Sequence, residues 1–234
     1  MSTLAEHYQQ VQQRIKQACQ QSQRDPAEVE LLAVSKTKPA SMVEECYQQG
    51  QRQFGENYLQ DAMEKIPALA DLANIQWHFI GPLQSNKTRA VAENFDWLAT
   101  LEREKIARRL SEQRPSGKAP LNVLIQVNIS GEAQKSGVEP GAIAALASVI
   151  EQLPGLTLRG LMCIPEATDD ESHLRGQFRQ MKLLFDELAQ QHPHVDTLSM
   201  GMSGDLELAI AEGATQVRIG TDIFGARNST GTTL

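Results

Sequence analysis

The chain has 234 residues, 41% of them hydrophobic and 22% charged, enough for the core of one large α/β domain. Lys and Arg number 22 against 29 Asp and Glu, and the resulting net charge of −7 repels phosphate backbones and argues against nucleic acid as a partner. Cys19, Cys46 and Cys163 are too scattered for a zinc site or a disulfide framework, and His192-Pro-His194 lacks the i, i+4 spacing of a helical metal site. A polar N-terminus, MSTLAEHYQQ, and the absence of an apolar run of membrane-spanning length imply a soluble, reduced, cytoplasmic protein with no membrane partner.

A glutamine-rich helix is expected over residues 4–22, followed by an apolar strand over 29–36 that ends on Lys36 and a helix over 41–49. Strands follow over 53–58, 76–81 and 97–101, the first and last of these with the weakest patterns. The helix at 102–113 places Ile106 and Leu110 on one face, and its basic run Arg103 to Arg109 reads as a solvated face. After the loop RPSGKAP come a strand at 122–129, an alanine-rich helix at 140–153, a strand at 158–164 and a helix at 177–191. A strand at 197–202, a helix at 205–212 stopped by Gly213, and a strand at 216–225 complete the pattern. Trp77 and Trp97 are expected between strands and helices, and Cys163 as an inert core thiol.

Eight strands alternating with helices specify a (β/α)8 barrel or a doubly wound sheet, and the count of eight with near-minimal length favours the barrel. The expectation is an α/β fold, a single TIM-type barrel over residues 1–234 with an extra N-terminal helix. Barrel chemistry collects at the carboxyl ends of the strands. Those ends carry Lys36, Asn57 beside Tyr58, His78, Asn128, Met162, the segment Ser199-Met-Gly-Met-Ser203, and Arg218-Ile-Gly-Thr221. The loops after strands seven and eight of a barrel often hold phosphate, and Ser199, Gly201, Ser203, Gly220 and Thr221 can supply hydroxyls and closely approaching N–H groups. The same Gly201 to Gly204 stretch also reads simply as a turn and helix cap.

A lysine desolvated in a barrel mouth has a lowered pKa and can form a Schiff base with an aldehyde. An aldehyde that also carries a phosphate matches pyridoxal 5'-phosphate (PLP), whose enzymes pair that lysine with an Asp or Arg near the pyridine nitrogen. Arg218, two residues before Gly220, suits the second role.

The motifs AVSKTKP, FGENY, WHFIGPLQSNK, GLMCIP, SMGMS and VRIGTDIFG, in that order from Val29 to Arg227, resemble the pyridoxal phosphate homeostasis protein family, which is similar to the barrel domain of alanine racemase. The resemblance implies PLP held as a Schiff base on Lys36, Asn57 lining the pocket, Arg218 facing the ring nitrogen, and Ser199, Gly201, Ser203, Gly220 and Thr221 around the phosphate. His78 and Met162 are placed in the same mouth. It also implies intracellular vitamin B6 homeostasis; PLP-dependent apoenzymes are candidate recipients that the sequence does not identify, and the lack of a racemase-type second domain favours a monomer.

The alternative is a PLP-dependent amino-acid racemase of the alanine racemase type. A permanently cationic Arg218 disfavours protonation of the pyridine nitrogen and weakens the ring as an electron sink. Racemases of that group use a tyrosine base associated with a second β-domain, for which the chain leaves no room. Only Tyr58 lies near a strand end, and it points away if Asn57 points in. The expectation is therefore a carrier without turnover. A P-loop is a further alternative, since Gly81-Pro-Leu-Gln-Ser-Asn-Lys-Thr88 nearly fits its pattern, but Asn86 replaces the second glycine and Pro82 lacks an N–H. Lys87 and Arg89 are left as surface cations or a secondary site for a phosphate-bearing ligand. Glu56 has two roles open, orienting Lys36 or capping a helix.

Overall fold

The computed structural model describes residues 2–226; the resemblance's last residue, Arg227, lies outside them. Helix α1 (Leu4–Gln21) starts at a reciprocal cap in which the Thr3 hydroxyl accepts from the Glu6 N–H and the Glu6 carboxylate accepts from the Thr3 N–H. Leu4, Tyr8, Val11, Ile15 and Ala18 form its buried face at helical spacing.

Eight parallel strands close into a barrel in chain order: β1 (Glu30–Val34), β2 (Gln53–Glu56), β3 (Gln76–Phe79), β4 (Trp97–Leu101), β5 (Leu121–Gln126), β6 (Leu156–Met162), β7 (Thr197–Ser199) and β8 (Gln216–Ile219). Closure comes from β1 pairing with β8, in register from Glu30 with Gln216 to Ala33 with Ile219. The intervening helices are α2 (Ala40–Gln48), α3 (Leu59–Ala68), α4 (Thr88–Asn94), α5 (Glu104–Gln113), α6 (Ile143–Glu151), α7 (Glu171–Gln191), α8 (Leu206–Ala211) and α9 (Thr221–Phe224). Helix α1 lies outside this alternation and packs across α2, α8 and α9. The (β/α)8 barrel with an N-terminal helix is as the sequence pattern predicts.

Boundaries differ at the rim. The first strand ends at Val34, so Lys36 stands two residues beyond it, and residues 221–224, expected in the last strand, turn into α9 and bury Ile223 and Phe224. Helix α7 begins six residues earlier than its apolar periodicity suggests, because Asp170 caps it by accepting from the His173 N–H. The short helices α3 and α4 have no sequence expectation of their own; α3 carries Pro67 in its last turn and α4 spans seven residues.

Alternation along each strand divides the core. Ala33, Phe54, Trp77, Phe79, Leu98, Val123, Leu198 and Val217 face outward and pack with the helices in the main apolar cluster. Trp97, Ala99, Leu124 and Met162, with Ile80 against them, fill the barrel interior. The placement expected for Trp77 holds, with its ring 5.9 Å from Phe54. Trp97 is a correction: it faces inward, stacks on His78 at 5.0 Å and lies under the Arg159 guanidinium at 4.7 Å, because its position on β4 shares the inward register of Ala99.

Candidate functional site

A cavity of about 330 Å³ opens at the carboxyl end of the strands. Lys36, Asn57, Met162, Ser203, Arg218, Gly220 and Thr221 of the expected set line it, joined by the apolar wall of Ile80, Ile164, Met202 and Phe224. Lys36 continues the inward register of Leu32 and Val34, which brings a half-buried lysine to the rim of an apolar barrel. Thr37 follows at φ +62°, a left-handed conformation that a β-branched residue adopts only when its surroundings impose it. Asn57 comes inward in the register of Gly55, and its Oδ1 is buried without a hydrogen-bond partner. The chain can pass this close only because residue 81 is glycine: a Cβ there would stand 2.1 Å from the Asn57 carbonyl oxygen.

Arg218 is buried and held from two strands, donating from Nη1 to Ser199 Oγ at 2.9 Å and from Nη2 to the Cys163 carbonyl at 2.9 Å. Burial lowers its pKa from the ordinary value, while a guanidinium stays charged at neutral pH. Ser199 therefore serves Arg218, and it lies behind the cavity wall rather than on it. Gly201 likewise does not line the cavity. Its carbonyl accepts from the Arg218 N–H, and its φ of +99° with a virtual Cβ 2.5 Å from Ala209 Cβ makes glycine obligatory there.

His78 sits one layer below the mouth, fully buried against Trp97, with Nε2 2.6 Å from Gln53 Oε1. Burial drives its pKa down to about 3, so the ring is a neutral part of the barrel filling and does not reach the cavity wall. Tyr58 is 47% exposed and absent from the lining, as the alternation with Asn57 predicts. The Cys163 thiol is pushed up to about 12 by burial and is unreactive. In the P-loop-like segment, the Thr88 hydroxyl lies within hydrogen-bonding distance of Ser85 O and Gln113 Oε1, which leaves it turned into the protein instead of toward a nucleotide.

Two groups of residues around the cavity escape the sequence reading. On the outer side of the barrel, Lys65 of α3 is 3% exposed and donates to Glu56 Oε1 (2.9 Å), Asp61 Oδ2 (2.8 Å) and the Ser35 carbonyl (2.7 Å). Glu56 Oε1 also accepts from Ser35 Oγ at 2.5 Å, and burial raises the Glu56 carboxyl to about 7 against the opposing pull of Lys65 and Ser35. Glu56 caps no helix; its Oε1 accepts from Lys65 and Ser35, and it faces α3. On the other side, Arg14 of α1 donates to the Ser203 carbonyl (2.9 Å), to both oxygens of Glu207 (2.8 and 3.0 Å) and to Asp222 (2.6 Å). The sequence reading gives Asp61, Lys65 and Arg14 no role; of these two groups it singles out Glu56 and Ser203. Among the described residues, no group of three His, Cys, Asp or Glu side chains forms a metal-binding cluster, and no helix is long and apolar enough to cross a membrane.

Residues 7–228 match the family model of the alanine racemase N-terminal domain. The chain is 57% identical over 228 residues to the pyridoxal phosphate homeostasis protein of Pseudomonas aeruginosa, covering 97% of each. It is 36% identical to the structure of PipY from Synechococcus elongatus with PLP bound, at a TM-score of 0.79 and covering 95% of this chain and all of the other. The chain belongs to the pyridoxal phosphate homeostasis protein family. Alanine racemase from Corynebacterium glutamicum, 17% identical with a TM-score of 0.70 over 95% of this chain and 62% of its own, shares the fold.

Proposed function

We propose that the chain binds PLP in the barrel-mouth cavity, with Lys36 as its covalent anchor, and serves intracellular vitamin B6 homeostasis without catalytic turnover. The observation that carries this reading is the joint placement of Lys36, Asn57 and Arg218 on the wall of one 330 Å³ cavity. Its size lies in the range of small-molecule sites.

When bound, PLP supplies an aldehyde for a primary amine, a pyridine ring and a phosphate. Lys36 provides the amine. Arg218, fixed by Ser199 and the Cys163 carbonyl, is a permanent cation that would disfavour protonation of a ring nitrogen bound beside it. Ser203, Gly220 and Thr221 would offer a hydroxyl-bearing and glycine-lined wall for a phosphate. Met162, Ile80 and Phe224 would give the bound ring an apolar wall. Ser199 and Gly201 support that wall from behind.

A racemase needs a proton-transfer group opposite its lysine. Among the described residues, the ionisable side chains lining this cavity are Lys36, Lys38 and Arg218, and Lys38 donates to the Ala226 carbonyl. Together with the kinship to homeostasis proteins, this supports a carrier over a racemase. In the same reading the single domain spans 1–234, acts as a cytoplasmic monomer and passes PLP to PLP-dependent apoenzymes.

The test is an absorption spectrum of purified protein with added PLP, followed by borohydride reduction, peptide mapping and assay against a panel of amino acids. A yellow band in wild type, reduction product on Lys36, loss of both in Lys36→Ala and no turnover are expected. No uptake of PLP overturns the binding reading; racemisation of any amino acid overturns the carrier reading.

A further inference from the structure

Lys36 is flanked by two residues that are each gripped from outside the barrel. On its N-terminal side, the Ser35 carbonyl accepts from Lys65 Nζ at 2.7 Å and the Ser35 hydroxyl donates to Glu56 at 2.5 Å. On its C-terminal side, the Thr37 N–H donates to Asp61 Oδ2 at 2.8 Å, and the same Asp61 oxygen pairs with Lys65 at 2.8 Å. Lys65 closes the set through Glu56 at 2.9 Å. The peptide segment that bears the cavity lysine is thus bracketed by one contiguous cluster from β2 and α3, none of whose side chains lines the cavity.

This arrangement has a cost that a packing role does not explain. Glu56 and Lys65 are taken almost wholly out of water, and buried ion pairs seldom outperform apolar residues for stability alone. Thr37 meanwhile holds φ +62°, where a threonine needs outside support. Resting on the reading of the cavity as a PLP site, we propose that Asp61, Lys65 and Glu56 are positioning residues. They hold the Ser35–Thr37 segment so that the Lys36 amine stands in the cavity, and thereby set how long PLP is retained. Asp61 is the distal jaw: its hydrogen bond to the Thr37 N–H holds the left-handed turn, while its charge balances Lys65.

The two parts of Asp61's role separate by substitution. Asp61→Asn keeps an oxygen for the Thr37 N–H and loses the ion pair; Asp61→Ala loses both. Full-length wild type and both variants are loaded with PLP, and its release is timed by absorbance after dilution into an excess of a PLP-trapping apoenzyme, alongside melting curves. Release from Asp61→Ala should be about tenfold faster, the scale of one hydrogen bond to a charged group. Asp61→Asn should stay within about twofold of wild type, as the retained hydrogen bond requires, although both variants lose the same ion pair and melt below wild type. Equal acceleration in the two variants means that only charge balance matters and overturns the inference, as does wild-type release from Asp61→Ala. If the alanine variant does not fold, Asp61→Ser, too short to reach Thr37, takes its place with the same criteria. Wild type that takes up no PLP at all overturns the cavity reading itself, an outcome distinct from uptake with unaltered release.

Discussion

The two walls of the cavity are supported in different ways. The lysine wall, at the ends of β1 and β2, rests on Lys65 and Glu56, whose side chains are 4% and 0% exposed. The adjoining wall, at the ends of β7 and β8, is tied to α1 by Arg14, whose partners Glu207 and Asp222 are 48% and 35% exposed. A buried cluster is stiff and intolerant of losing one member, whereas a half-exposed one is screened and replaceable. The segment that carries Lys36 is therefore held more rigidly than the wall bearing Ser203, Gly220 and Thr221.

The largest effect should come from Lys65→Met. It leaves Glu56 buried without its cation and should cost about 3–5 kcal/mol in urea unfolding at pH 8, with partial recovery on adding Glu56→Gln. If the loss matches that of Arg14→Ala, the contrast between the walls disappears.

His78 gives a pH test. Its folded-state pKa of about 3 lies below the ordinary 6.5, so the unfolded chain binds the extra proton between those values. Stability is full above pH 6.5 and falls as the pH drops, by about 2 kcal/mol at pH 5. Glu56 acts in the opposite sense: its pKa is raised from 4.5 to about 7, so its contribution declines as the pH rises between those values. Unfolding curves from pH 4 to 8 for His78→Phe and Glu56→Gln should show the acid loss removed in the first and the rising-pH loss removed in the second.

Ser199→Ala strips the buried Arg218 of one acceptor. A loss of about 2 kcal/mol in stability is expected, with weaker PLP uptake measured by titration. The smallest change belongs to Arg14→Ala, about 1 kcal/mol, and it should shrink further in high salt. A salt-insensitive loss of several times that size would show α1 to be as rigidly wired as the lysine wall.

The eight strands were legible because their apolar runs are long and near-continuous, as strands covered on both faces must be. Their ends were less so, since Lys36 and the α9 turn depend on where the barrel rim lies, which no local pattern encodes. In the site, Lys36 and Arg218 could be read because a Schiff-base lysine and a cation suit strand ends in a barrel mouth, and Asn57 followed from the family resemblance; all three line the cavity. Ser199 and Gly201 were placed there as residues of a phosphate loop and His78 as a strand-end residue, yet each sits behind or beneath the lining. A one-residue change of register or a single layer of barrel filling separates wall from support, and that separation is a distance across the barrel, not along the chain.

The sequence by itself determined the barrel and its N-terminal helix and singled out Lys36 near the end of the first strand, because periodicity and residue type act over a few neighbouring residues. Tertiary structure alone decided that Lys65, Glu56 and Asp61 converge behind that lysine, and that Arg14 reaches from α1 to Ser203 and Asp222. Those partners lie up to 208 positions apart, and charge pairs are recognised only once folding has brought them together and removed the water between them.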